Sequence, residues 1–154
     1  MDTPTEDDVA RFVERFAAAL VEAGVPRMPA RVFAALLSAD SGRLTAAELA
    51  ERLHTSPASV STAVRYLAQV NLVSRERERG SRRDVIVVHG DIWYEALVRR
   101  DAILVRWEDA LRDGIQTLGA DSPAGQRLTG TLEFFEFIGK ELPAMLQRWR
   151  ATRG

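Results

Sequence analysis

The chain has 154 residues, 46% of them hydrophobic, no cysteine, and a formal net charge of -1. That length and apolar content suffice for one domain with its own core, and the missing thiols exclude disulfides and thiolate metal sites. No apolar run approaches the roughly 18 residues that a membrane-spanning helix needs. The start, with Asp2, Glu6, Asp7 and Asp8, lacks the basic segment and apolar stretch of a secretion signal. The expected setting is the cytoplasm, with no membrane partner.

Charge is spread unevenly. Between Ser41 and Gly90 eight arginines face five acids, a balance of +3 that leaves -4 for the remainder. A basic middle between acidic ends suits a nucleic-acid-contacting module carried on a scaffold kept away from phosphates, and ordinary scatter of surface charge is the competing explanation.

In chain order, Val9, Phe12, Val13, Phe16, Ala17 and Leu20 recur at three- and four-residue spacing and predict a first helix ended by Gly24 and Pro26. Met28, Val32, Phe33, Leu36 and Leu37 predict a second, running into the loop Asp40-Ser41-Gly42. Thr45-Ala46-Ala47-Glu48 reads as a capping box opening a short third helix that runs to Leu53. After the turn His54-Thr55, Ser56 can cap a fourth helix with Pro57 at its first position, where the missing amide costs nothing.

On the fourth helix Val60, Ala63, Val64 and Leu67 fall on one side, leaving Ser59, Ser61, Thr62 and Arg65 largely on the other. Asn71 is expected at its left-handed end. Val73 to Glu76 and Val85 to His89 are β-prone runs around an arginine-rich segment with Gly80 near its middle, a predicted hairpin or wing. Asp91 can cap a long fifth helix reaching Leu118-Gly119. Ser122-Pro123 repeats the cap-plus-proline start for a sixth, with Gly139 and Pro143 as expected kink points.

Two capped helices joined by a turn of about three residues, followed at once by a hairpin, give a winged helix-turn-helix. The predicted class is mainly α with a small β-hairpin: a single domain over 1-154 with a winged lobe at 28-90. Residues 1-24 and 91-152 form a helical dimerisation base. A helix entering the major groove needs small hydrogen-bonding side chains near its N-terminus, which describes Ser56, Ser59, Ser61 and Thr62. The candidate DNA contacts are these four with Pro57 and Arg65 on the helix, and Arg75, Arg77, Arg79, Arg82 and Arg83 on the wing.

Glu48-Leu49-Ala50-Glu51-Arg52-Leu53, then Ser56, Val60-Ser61, Ala63, Arg65, Leu67 and Leu72-Val73, resembles the MarR superfamily. Glu22-Ala23-Gly24-Val25-Pro26-Arg27 with Arg31-Val32 and Leu36-Leu37 resembles its GbsR-like branch, although Asn71 stands where such proteins usually have glycine. The resemblance spans roughly residues 10 to 90. It implies a homodimer with an all-helical base, two winged lobes on double-stranded DNA at a palindromic operator, and often a small-molecule effector between base and lobe. The expected function is that of a sequence-specific transcriptional regulator acting as a dimeric repressor.

The first, fifth and sixth helices carry more apolar surface than a small lobe covers, so Phe12, Phe16, Leu132, Phe135, Leu142 and Trp149 are candidate dimer-interface residues, with a self-contained helical core as the alternative. A fifth helix of nearly thirty residues would span roughly 40 Å at about 1.5 Å per residue. Trp93 and Trp107 are candidates for an effector pocket, since aromatic faces attract cations, though packing in a core or dimer interface explains them more cheaply.

His54 and His89 lie in no ligand-spaced cluster, so no metal or cofactor is expected. No nucleophile motif, glycine-rich phosphate loop or H-E-x-x-H spacing occurs, and no enzyme is expected. Glu133 and Glu136 read as a solvated helix face. The alternative function is a winged-helix protein-protein interaction module that leaves DNA alone. Exposed apolar or acidic surface on the fourth helix would mark such a module, and the residues here are polar and basic.

Overall fold

In the computed structural model, which describes residues 2-154, α1 (Glu6–Glu22) begins where Thr5 and Asp8 close a capping box. The Asp8 amide donates to Thr5 Oγ1 at 3.1 Å and the Thr5 amide to Asp8 Oδ2 at 2.9 Å. The Thr5 amide and then its hydroxyl hold the Asp8 carboxyl below its ordinary value. Then follow α2 (Arg27–Ser38), β1 (Arg43–Thr45), α3 (Ala46–Arg52), α4 (Pro57–Gln69), β2 (Ser74–Arg77), β3 (Asp84–Val87), α5 (Ile92–Leu118) and α6 (Pro123–Arg153). The chain divides into two compact units, one ending at Ile92 and the other spanning Trp93–Gly154.

The first unit is built around α2, whose Val32, Phe33, Ala34 and Leu36 are wholly removed from solvent. Val13 of α1, Leu49 of α3, Val60, Val64 and Leu67 of α4, and Leu44 and Ile86 from the strands complete one continuous core. Burying each such side chain stabilises the unit by about 1.5–3 kcal/mol. Phe16 lies half-buried against the same core and stacks on exposed Phe12, ring centroids 5.7 Å apart. The apolar face of α1 is therefore partly covered within the lobe.

The sheet has three antiparallel strands in the order β1-β3-β2, one more than the expected hairpin. Leu44 pairs with Ile86 and Thr45 with Val85, so the segment before the third helix is a strand leading directly into its cap. Three residues are too short a run for alternation to show. The hairpin strands are offset from expectation: β2 begins one residue later, at Ser74, and β3 covers Asp84–Val87 instead of 85-89.

The second unit is a pair of helices joined by a tight turn. Ser122 caps α6 by accepting from the Gly125 amide at 2.9 Å, and Pro123 occupies the first turn. Gly125 is required there, because a Cβ would lie 1.8 Å from the Gly119 carbonyl oxygen. Gly119 itself turns the chain at φ +86°. α6 continues as helix past Gly139 and through Pro143. Arg112 ties the two helices, donating to Glu136 Oε1 at 3.1 Å while pairing with Asp109 on its own helix.

Candidate nucleic-acid interface

The interface is assembled from α3, the turn and α4, with the hairpin beside them. Thr45 and Glu48 form the expected capping box of α3, with amide-to-side-chain distances of 3.1 and 3.2 Å. The chain then turns through His54, which takes a left-handed φ of +51°. Histidine is among the few non-glycine residues enriched in that region. Ser56 caps α4 by accepting from the Ser59 amide at 3.1 Å, with Pro57 next to it. At the far end Asn71 adopts φ +63° and the Leu72 amide returns to the Leu67 carbonyl at 2.9 Å, the expected left-handed stop.

These caps fix the axis of α4, and its inner face fixes the rotation. Val60, Ala63, Val64 and Leu67 are buried, which turns Ser61, Thr62 and Arg65 outward, where all three are exposed. Ser61 and Arg65, four residues apart, share one stripe. The Ser56 hydroxyl donates to Ser59 Oγ at 2.9 Å, and the Thr62 hydroxyl donates to the Ala58 carbonyl at 3.1 Å. Ser56 and Ser59 thus serve first as caps, whereas Ser61 and Arg65 present uncommitted polar groups. An apolar cleft of about 500 Å³ runs along this flank of α4, where Pro26, Met28 and Pro29 face Ala58, Thr62 and Tyr66.

On the wing, Arg75 and Arg77 alternate outward from edge strand β2. Arg79, Arg82 and Arg83 lie in the tip between the strands, all exposed. The Glu78 amide closes the tip onto the Arg83 carbonyl at 2.9 Å. Among the described residues none of Arg65, Arg75, Arg77, Arg79, Arg82 or Arg83 is ion-paired with a carboxylate. One acid of the hairpin is engaged elsewhere: Glu76 takes Arg43 at 2.9 Å and sits 3.5 Å from His89 Nε2, which in turn contacts Ser74 Oγ at 3.0 Å. This cluster was not among the sequence candidates, because it depends on the β1 pairing that brings Arg43 beside the hairpin.

The candidate dimer and effector residues are distributed differently. Trp149 is half-exposed on α6, Leu132, Phe135 and Leu142 are partly covered, and Phe134 and Phe137 stand out at 60% and 59% exposure. Trp107 packs on Phe135 with ring centroids 5.7 Å apart and lines a cleft of about 310 Å³ with Ala110, Leu111 and Leu128. Trp93 does not line that cleft. Among the described residues no group of three or more His, Asp or Glu side chains is placed to hold a metal.

A capped helix, a tight turn, a second capped helix with a polar outer face, and a cationic hairpin define a winged helix-turn-helix regulator. Residues 23–84 match the model of the MarR family, and residues 91–152 match that of MmpR5-like MarR family transcriptional regulators. The chain belongs to the MarR family of transcriptional regulators. It is similar to the HTH-type transcriptional regulator MmpR5 of Mycobacterium tuberculosis, with 26% identity over 122 residues covering 79% of this chain and 74% of that protein. A crystal structure of a transcriptional regulator superposes with a TM-score of 0.84 at 23% identity, covering 94% of this chain and 99% of that one, and shares its fold. Among the described residues no helix is long and apolar enough to cross a membrane.

Proposed function

We propose that this regulator acts as a cytoplasmic homodimer that represses transcription by placing α4 in the major groove of duplex DNA and its wing on the flanking backbone. One observation carries the reading: six arginines without carboxylate partners lie on the two elements that a winged helix-turn-helix presents to DNA, beside a helix face of small hydroxyl side chains. Arg65, Ser61 and Thr62 are assigned to base edges, and Ser56, Pro57 and Ser59 to the helix N-terminus at the backbone. Arg75, Arg77, Arg79, Arg82 and Arg83 go to phosphates or the minor groove. An interaction module that avoids DNA would gain nothing from leaving these cations unpaired.

The dimer is assigned to the apolar residues of α1 and α6, Phe12, Phe16, Leu132, Phe135, Leu142 and Trp149, and it sets two recognition helices about 34–36 Å apart on a palindromic site. The GbsR-like placement rests on the run from Glu22 to Leu37. A small-molecule effector is assigned to the aromatic surface of the second unit, with the Trp107 cleft as its foothold and Trp93 as a second candidate. Such a ligand must bind the DNA-competent and DNA-incompetent states differently, so its affinity falls when DNA is present.

Gel-shift titration against the promoter upstream of the gene, with random duplex as competitor and light scattering on the same sample, tests the reading. A dimer that retards the promoter and resists random competitor supports it. A monomer, or equal binding to both duplexes, contradicts it.

A further inference from the structure

Arg31 sits on α2, away from the groove-facing side of α4, yet its guanidinium joins three elements. Nε donates to Glu14 Oε1 of α1 at 3.0 Å, and Nη2 donates to the Leu53 carbonyl at 3.1 Å. Nη1 lies 3.6 Å from Met28 Sδ. Its side chain is 19% exposed, whereas Glu14 is 57% exposed. The Leu53 carbonyl belongs to the C-cap of α3, where helix carbonyls lack intrahelical partners and a cation is favoured. Three residues later Ser56 caps α4.

We propose that Arg31 is the positioning residue of the recognition helix: clamped by Glu14, it holds the Leu53-His54-Thr55 turn and so fixes the angle at which α4 meets DNA. The turn needs such a clamp, because His54 is held at φ +51° and the amides of His54 and Thr55 reach back only to Glu51 and Ala50, within α3 itself. Those local bonds reach no further than α3; the Leu53 side chain is seated in the core, and the reference still to be supplied is one for its carbonyl. Arg31 supplies that reference, and a planar fork can serve a carboxylate and a carbonyl together, which a lysine ammonium on a flexible stem does less well.

The proposal rests on the DNA-binding reading above, and its test separates the two. Duplexes selected by the wild-type protein from a random library serve as operator, and unselected duplex as the reference. A variant that is merely less stable loses active protein equally in both titrations, so the ratio of the two affinities is unchanged. Arg31→Gln is expected to lower operator affinity about tenfold and random-duplex affinity no more than about twofold, the loss of charged hydrogen bonds expressed through misplacement of α4.

Because Arg31 touches no phosphate in this arrangement, the salt slope stays at the wild-type value. Arg31→Lys should fall between the two proteins, and Glu14→Gln, an exposed change that leaves the core intact, should lower the ratio about threefold. If Arg31→Gln does not fold, Arg31→Lys and Glu14→Gln decide. An unchanged ratio in the folded variants, with the wild type discriminating, overturns the positioning role alone. A wild-type protein that selects no duplex overturns the DNA-binding reading and this proposal with it.

Discussion

The two units of this chain solve the problem of burial in opposite ways. The unit ending at Ile92 hides nearly every large apolar side chain of α2, α3 and α4 in one core, and the outer face of α4 and the wing present mainly hydroxyl and guanidinium groups. The unit from Trp93 to Gly154 has two helices of 27 and 31 residues, yet Leu146 is its only buried apolar side chain. Its exposed groups include Trp107, Phe134, Phe137, Met145 and Trp149. A surface of arginines and serines suits a polyanion; an aromatic surface suits another apolar surface. On the proposed reading, the cationic surface serves DNA and the aromatic surface of α6 serves a second subunit.

That contrast can be broken from either side, and the largest effect lies in the lobe. Phe33→Ala opens a cavity in the one continuous core and is expected to cost about 3–5 kcal/mol in chemical denaturation. Phe134→Ala should cost less than about 1 kcal/mol in the isolated chain, since its ring is mostly in water already. Comparable losses for the two would erase the distinction. Within the second unit, Gly125→Ala forces a methyl into the Gly119 carbonyl, and a loss of about 3 kcal/mol is expected from backbone that has no room to yield. Hydrogen exchange should show it confined to the α5–α6 turn, with the amides of α4 unaffected.

The double change Phe12→Ala with Trp149→Ala, two assigned interface residues that are exposed in the single chain, should leave secondary structure by circular dichroism unchanged and shift light-scattering mass from dimer towards monomer by raising the dimer Kd at least about tenfold. An unmoved dimer would place the interface on another face. The smallest effect is at Asp8. Its carboxyl is held below the ordinary value in the folded chain, so its contribution is complete above the unfolded pKa of about 3.8. That contribution is lost only as pH falls through the lower, folded value. An NMR titration should show Asp8 titrating below its value in the unfolded chain, and Asp8→Asn should abolish the pH-dependent part of α1 fraying.

Much of this arrangement is legible in the sequence because its signals are local. The Thr45-Glu48 capping box, Ser56-Pro57 and Ser122-Pro123 each name a helix start, and the spacing of Val60, Ala63, Val64 and Leu67 names the buried side of α4. Asn71 marked the end of α4, where its φ is +63°. The features that were missed depend on residues far apart in the chain. β1 is three residues long and is defined by its pairing with β3. The Arg43–Glu76 pair joins positions 33 residues apart. Arg31 stood in the sequence only as part of the family resemblance, because its acceptors, Glu14 and Leu53, lie 17 and 22 residues away. No periodicity reports contacts of that kind.

The account stands most directly on the division of labour between wing and recognition helix. Binding isotherms for Arg82→Ala and Arg65→Ala, over a salt series on operator and random duplex, measure it. Arg82→Ala should weaken both duplexes alike and reduce the salt slope by about one unit per lost phosphate contact at each half-site. Arg65→Ala should cost about 1–3 kcal/mol per half-site on operator and much less on random DNA, roughly doubled because the dimer carries the change twice. Equal losses on both duplexes for both variants would contradict the account, leaving α4 as a backbone clamp that reads no sequence.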